Sequence, residues 1–245
     1  MGGMRVVCIS DCHGHLPVIP ACDLLLIGGD VTPVADHSVK YQARWLNNFL
    51  RPWLQRVPAR HICGIAGNHD FIFEQAPSRV PTDLRWNYLQ DSSIVIDGLK
   101  IYGTPWQPWF CDWAFNAPRE NGEAFLAQKY RLIPPDVNIL ISHAAPRGWG
   151  DPAPVGANLP DGGNPVGSVA LLERILQLCP LLTVFGHLHS GYGVYQVPCP
   201  IPGDGSKMAL LANASILDDT YQPANAPLQF EIQGEGSSLT ISQVA

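Results

Sequence analysis

Five apolar runs of strand length each break off into a short cluster of Gly, Asp, Asn and His. Met4–Ser10 leads into Asp11-Cys12-His13, Asp23–Ile27 into Gly28-Gly29-Asp30, and His61–Ala66 into Gly67-Asn68-His69-Asp70. Asn138–Ile141 leads into Ser142-His143, and Leu181–Phe185 into Gly186-His187-Leu188-His189. A short, nearly continuous apolar run bounded by turn residues is the mark of a strand buried on both faces. In open α/β sheets, ligands gather at the carboxyl ends of strands. The pattern predicts a sheet-based molecule in which five strand ends meet at one place.

The remaining segments fit that frame. Between Ser38 and Val57, Tyr41, Trp45, Leu46, Phe49 and Leu50 recur at helical spacing, and Pro52 is expected to kink or end the helix. Glu120–Arg131 and Val169–Leu178 read as helices. Ile94–Ile96 and Lys100–Tyr102 flank Asp97-Gly98 as a hairpin. From Tyr192 onward, short strands alternate with turns. Ala144–Gly167 is rich in Gly, Pro and Asp and exceeds an ordinary connector, which predicts a functional loop or lid. Pro198–Ser206 reads as a plain turn region. The expected architecture is α/β: two packed sheets with helices outside, as one domain spanning residues 1–245.

Composition narrows the function classes. The 245 residues are 46% hydrophobic and 15% charged, with a net charge of -6. A large core is feasible, and no Lys/Arg stripe invites polymeric DNA or RNA. A small anionic substrate is still open to an acidic protein, because bound cations invert the local field. The seven cysteines are odd in number and form no C-x-x-C pair, so neither a zinc ribbon nor a disulfide framework is expected. Read as buried thiols, they point to the cytoplasm. No run reaches the length of a membrane span, so no membrane partner is expected. No segment marks an oligomeric state.

The five clusters carry the chemistry. Singly each is unremarkable: a histidine after a strand is more often structural, and Gly-Asn favours turns. Together they suit a pair of cations, since Asp oxygens and imidazoles accept Mn, Fe, Zn or Ni. Asp30 can bridge two ions about 3.5–4 Å apart, the spacing that clamps an in-line phosphoryl displacement. Two 2+ ions with Asp11 and Asp30 leave a charge of about +2, and a bridging hydroxide leaves about +1. His15, His37 and His61 fall outside the clusters: His37 and His61 read as surface or packing residues, and His15 as a solvated loop residue ahead of one that lines the cleft. Cys12 reads as a space-filler. The aromatic stretch Trp106, Trp109, Phe110, Trp113 and Phe115 reads as a satellite core ahead of a base-stacking surface. Arg147 is open to two readings, a phosphate contact or a surface residue.

The ordered series D-x-H, G-G-D, G-N-H-D, S-H and G-H-x-H, from Asp11 to His189, resembles the calcineurin-like metallophosphoesterase superfamily. That resemblance implies a four-layer α/β/β/α sandwich of two mixed sheets. It implies that Asp11, His13, Asp30 and His189 hold one metal and that Asp30, Asn68, His143 and His187 hold a second. It places His69 beside the substrate, to protonate the leaving oxygen or stabilise the phosphoryl group, with Asp70 orienting His69. Gly98–Phe110, Phe185–Gly193, Asn213-Ala214-Ser215 and Tyr221–Asn225 are similar to the metallophosphoesterase-domain-containing branch, related to class III cyclic nucleotide phosphodiesterases. Asn164 departs from that branch, where a histidine is more usual. The branch implies a dinuclear phosphodiesterase acting on small phosphodiesters or cyclic nucleotides through a metal-bridging hydroxide. Its two divalent or trivalent ions are expected to be Mn in vitro, with Fe, Zn or Ni as alternatives. The rival readings are a phosphomonoesterase or phosphoprotein phosphatase on the same site, and a nucleotide-binding regulator with weak catalysis. His187 and His189 are both present, which favours a competent enzyme.

Overall fold

The alternation of side chains along the first strand sets up the layers. In β1 (Met4–Ile9), Val6 and Cys8 point to one face and Val7 and Ile9 to the other, and all four are buried. The same holds in β2 (Cys22–Ile27), where Leu24 and Leu26 oppose Leu25 and Ile27. A strand buried on both faces needs a layer on each side, which is why these runs are apolar throughout. The computed structural model describes residues 3–151, 165–200 and 207–244.

The chain continues through helices α1 (Val39–Trp45) and α2 (Arg51–Arg56) to β3 (Ala59–Gly64), then α3 (Phe71–Gln75) and β4 (Asn87–Tyr88). Next come β5 (Ser92–Ile96), β6 (Leu99–Thr104), α4 (Gly122–Tyr130), β7 (Ile139–Ser142), α5 (Val169–Leu178) and β8 (Leu182–Phe185). The last strands are β9 (Gly193–Cys199), β10 (Lys207–Asn213), β11 (Leu228–Gln233) and β12 (Thr240–Gln243). The strands form two six-stranded mixed sheets, ordered β12-β11-β1-β2-β3-β4 and β5-β6-β7-β8-β10-β9. Strands β1 to β4 pair in parallel, as do β6, β7, β8 and β10, while the outer pairings with β11, β12, β5 and β9 are antiparallel.

Three apolar layers follow. Val6, Cys8, Leu24, Leu26 and Cys63 meet Ile101, Ile139, Ile141, Leu182 and Val184 between the sheets. Val7, Ile9, Leu25 and Ile27 pack under Trp45, Leu46, Leu50 and Leu54. Tyr102, Leu140, Phe185 and Leu211 pack under Leu126, Tyr130, Leu171 and Ile175. The α/β/β/α sandwich is thus built as the sequence pattern predicts.

Some expectations change. Pro52 does not end its helix. A wider turn at Leu46–Leu50, closed by the Arg51 amide donating to the Leu46 carbonyl, precedes the proline, and α2 continues to Arg56. Helix α3 carries no sequence signal because five residues are too few to show a period. Cys179 and Cys199 form a disulfide, joining the end of α5 to the end of β9 with Cα atoms 5.9 Å apart. They lie 20 residues apart without a spacing motif, so only the fold brings them together. This corrects the all-thiol reading and removes it as a ground for a cytoplasmic location. Cys8, Cys12, Cys22 and Cys63 are buried free thiols, while Cys111 is exposed. Of the predicted loop Ala144–Gly167, residues 152–164, with Asn164, lie outside the described residues, as do 201–206 of the predicted turn. Among the described residues no helix is long and apolar enough to cross a membrane.

Candidate metal centre

Each motif begins where a strand stops, and the backbone turns sharply there. Asp11, His13, Asp30 and His187 have φ of 54°, 41°, 52° and 68°. Left-handed backbone in a non-glycine residue costs on the order of 1–3 kcal/mol and clusters at functional sites. Here it folds the side chains back across the strand ends. The neighbouring glycines are needed for close approach. A Cβ at Gly67 would strike the Asp30 carboxylate, and one at Gly186 would strike the Asp11 carboxylate.

Seven side chains meet in two overlapping groups. In the first, His189 Nε2 lies 3.4 Å from Asp11 Oδ1 and 3.3 Å from His13 Nε2. His13 Nε2 lies 3.6 Å from Asp30 Oδ2. In the second, His143 Nε2 lies 3.5 Å from the same Asp30 oxygen and 2.8 Å from Asn68 Oδ1, which is also 2.8 Å from His187 Nδ1. Asp30 therefore belongs to both groups, through Oδ2 alone, because its Oδ1 accepts the His69 amide at 2.7 Å. Three triads have donor atoms all within 4.8 Å of one another: Asp11-His13-His189, His13-Asp30-His69 and Asp11-Asp30-His143. All these side chains are buried except His187, which is half-buried.

Outer hydrogen bonds fix which atoms face inward. His143 Nδ1 donates to the Gly28 carbonyl at 2.9 Å and His189 Nδ1 to the Asp218 carbonyl at 2.8 Å. Each ring thereby turns Nε2 to the cluster. Asp11 Oδ2 accepts the Ser215 hydroxyl at 2.8 Å, and the His187 amide lies 3.0 Å from both Asp11 oxygens. Ser215 and Asp218 are site residues that sequence reasoning missed. Neither matches a ligand motif, and only the β10 loop brings them in.

Electrostatics ties the groups together. Burial disfavours charge on Asp11, yet the facing imidazoles of His189 and His143 hold it below the ordinary carboxylate range. Asp30 is likewise buried and held low, chiefly by His143 and His69. Burial pulls His143 and His189 down, but Asp30 and Asp11 outweigh it and raise both to about 9. His13 and His187, where burial wins, fall to about 4 and about 3. The two carboxylates thus favour the protonated form of two imidazoles, and cations entering here would displace protons.

Two predicted roles are corrected. Asp70 does not meet the His69 ring. Its carboxylate accepts the backbone amides of Val31, Thr32 and Gly67 at 3.2, 2.9 and 2.9 Å, locking two motif loops together. The partner of His69 is His37, expected on the surface or in packing: its Nε2 lies 2.9 Å from His69 Nδ1. The aromatic stretch divides. Phe115 is fully buried and Trp106 packs on it, as a satellite core requires. Trp113 instead lies 4.3 Å from the His69 ring, with exposed Phe110 beside it. Tyr221, also unforeseen, sits edge-on to His13 and His189 at 5.0 and 5.3 Å.

The model of one family, described as calcineurin-like phosphoesterase, matches residues 4–191. Metallophosphoesterase domain-containing protein 1 of Homo sapiens and that of Mus musculus are each 35% identical over 258 residues, spanning 94% of this chain and 72% of the relative. One crystal structure, 15% identical, superimposes with a TM-score of 0.60 over 99% of this chain and 100% of its own. Thermus thermophilus protein TT1561, also 15% identical, gives 0.51 over 86% and 88%. These structural likenesses bear on the fold alone.

Proposed function

The chain belongs to the calcineurin-like phosphoesterase family, and from that premise we propose that it is a dinuclear metal-dependent phosphodiesterase acting on small phosphodiesters, cyclic nucleotides among them. The observation that carries this reading is the convergence of seven donor side chains from five strand ends in two groups that share Asp30. In our reading Asp11, His13, Asp30 and His189 hold one cation and Asp30, Asn68, His143 and His187 the other. The spacing fits. Neighbouring ligands around a cation with bonds of about 2.1 Å stand roughly 3.0–3.4 Å apart, and the donors here are 2.8–3.6 Å apart. The mixed oxygen and nitrogen set suits Mn, Fe, Zn or Ni, and Mn is the ion to add first.

Two bound cations supply Lewis acidity toward the phosphoryl oxygens and make water acidic enough to ionise near neutral pH. The chain's own residues do the rest. Asp11 and Asp30 set the net charge, Asp30 holds the two groups in register, and Asp70 holds the loops that carry Asp30 and Asn68. His69 meets the leaving oxygen and stabilises its developing charge by a hydrogen bond, and water supplies the proton. Charge supports a diester over a monoester. Among the described residues no lysine or arginine side chain bonds to these site side chains. A net charge of about +1 matches a diester monoanion, whereas a dianionic monoester brings a second negative charge that no guanidinium meets.

The test is hydrolysis of bis-p-nitrophenyl phosphate by wild type and Asp30→Ala, with Mn restored after chelation. We expect activity to return with Mn in the wild type only. Faster cleavage of p-nitrophenyl phosphate would replace this reading with the monoesterase. Tight retention of a nucleotide without turnover, under any metal, would replace it with the binding regulator.

A further inference from the structure

His37 occupies a position too well built for a surface residue. Asp36 Oδ1 accepts the Ser38 amide at 2.7 Å, and Ser38 Oγ in turn caps α1 by accepting the Tyr41 amide. The backbone on either side of His37 is therefore pinned. Its ring stacks on Phe71, centroids 4.8 Å apart and planes 26° from parallel. That stack aims Nε2 at His69 Nδ1, 2.9 Å away. The other rings against His69, Trp113 at 4.3 Å and the edge of His13 at 4.8 Å, confine it without a hydrogen bond to Nδ1.

We propose that His37 is a positioning residue that fixes the tautomer and orientation of His69, donating from Nε2 to His69 Nδ1 so that His69 Nε2 carries a hydrogen toward the leaving oxygen. This rests on the phosphodiesterase reading above. A neutral imidazole has one donor and one acceptor nitrogen. If His37 accepted instead, His69 would turn a lone pair toward an oxygen that is gaining negative charge, which repels it. In the step, the bond from phosphorus to the leaving oxygen breaks, its electron pair stays on that oxygen, the Nε2–H of neutral His69 stabilises the developing charge by a hydrogen bond and keeps its proton, and a solvent proton completes the alcohol. The new oxygen on phosphorus comes from water. One hydrogen of that water stays on the product, and the other, lost to solvent, balances the proton that solvent gives the alcohol.

The test compares two esters that differ in how much their leaving oxygen needs a proton: bis-p-nitrophenyl phosphate and diphenyl phosphate. His37→Phe keeps a ring against Phe71 but offers no N–H, and His37→Gln restores an N–H donor. For His37→Phe we expect kcat on diphenyl phosphate to fall roughly tenfold to a hundredfold. The fall on the nitrophenyl ester should be much smaller, with KM and bound metal per chain unchanged and partial recovery in His37→Gln. Equal losses on both esters, loss of bound metal, or no loss at all would overturn the inference. So would a wild type that cleaves the nitrophenyl ester alone, since no hydrogen bond then assists the leaving oxygen. The last two results leave the phosphodiesterase reading standing, whereas a wild type inert toward both esters removes the reading and the inference together.

Discussion

Asp70 shows how a residue can sit in a motif for a reason other than the one its neighbours suggest. Both of its oxygens are spent on backbone amides: Thr32 on one, Val31 and Gly67 on the other. It ties the loop after β2 to the loop after β3, and those two loops carry Asp30, Asn68 and His69. Burial and the nearby Asp30 charge push its carboxyl up to about 7, while the amides pull the other way. Asp70→Asn leaves the shape but replaces one acceptor with an NH2 that faces amide donors. A hydrogen bond to a charged acceptor contributes roughly 1.5–3 kcal/mol, and a buried donor left unmet costs a similar amount. Urea denaturation of the variant should show a loss of about 2–4 kcal/mol, together with weaker metal binding. Full stability with a fall in kcat alone would return Asp70 to the role of orienting His69. The residue types were legible in the sequence, but their partners were not. Asp70 lies next to His69 in the chain yet reaches past it, and His37, 32 residues away, takes its place.

At the scale of elements, the strands were the most legible feature and the helices less so. Burial on both faces makes β1, β2, β7 and β8 apolar end to end, and such runs stand out in any sequence. Helix α5 was legible from its pattern, and the structure adds Ser168 at its head. The Ser168 hydroxyl accepts the Leu171 amide at 3.2 Å and meets Glu123 Oε2 at 3.1 Å, so the cap also joins α5 to α4. Ser168→Ala should lower stability by about 1–2 kcal/mol, seen as a shift of the denaturation midpoint with an unchanged slope. Activity per loaded site should hold, since α5 lies behind the second sheet. The hairpin was legible because its turn is local chemistry: Asp97 and Gly98 both take positive φ, as a two-residue primed turn requires. The wide turn before Pro52 was hidden, because it answers the proline through backbone bonds that no side-chain pattern reports.

At the scale of the molecule, the site is a seam. Asp11, Asp30 and Asn68 follow strands of one sheet, while His143, His187 and His189 follow strands of the other. Cations held between them would fasten the two sheets together. They also compete with protons. In the metal-free protein His143 and His189 have raised pKa values of about 9, against an ordinary value of 6.5. The sign follows from linkage. Their contribution to stability is complete below about 6.5 and is lost as pH rises through about 9. Metal-free protein should therefore become less stable across that window. Metal affinity should rise across it, because fewer protons remain to be displaced. Calorimetric titration with Mn at pH 7, in buffers of different ionisation heat, should show proton release. Thermal melts should show the loaded protein above the metal-free one by a margin that widens toward pH 9. At a hundredfold excess over Kd the bound ion adds about 2.7 kcal/mol. Affinity flat in pH would mean that the imidazoles are already neutral.

The sequence alone determined the layered sandwich and the residue types at its strand ends, because both follow from local rules: apolar runs must be covered, and Asp, Asn and His bind cations. It also carried the order of motifs that marks the family. Only the tertiary structure decided which atoms meet. It gave Asp30 one free oxygen instead of two, brought Ser215 to Asp11 across 204 residues, and set His37 against His69. It also closed the Cys179–Cys199 bridge. Hydrogen bonds and disulfides depend on distances of a few ångströms and on the direction of a lone pair, and residues far apart in the chain acquire these only when the elements that carry them have packed.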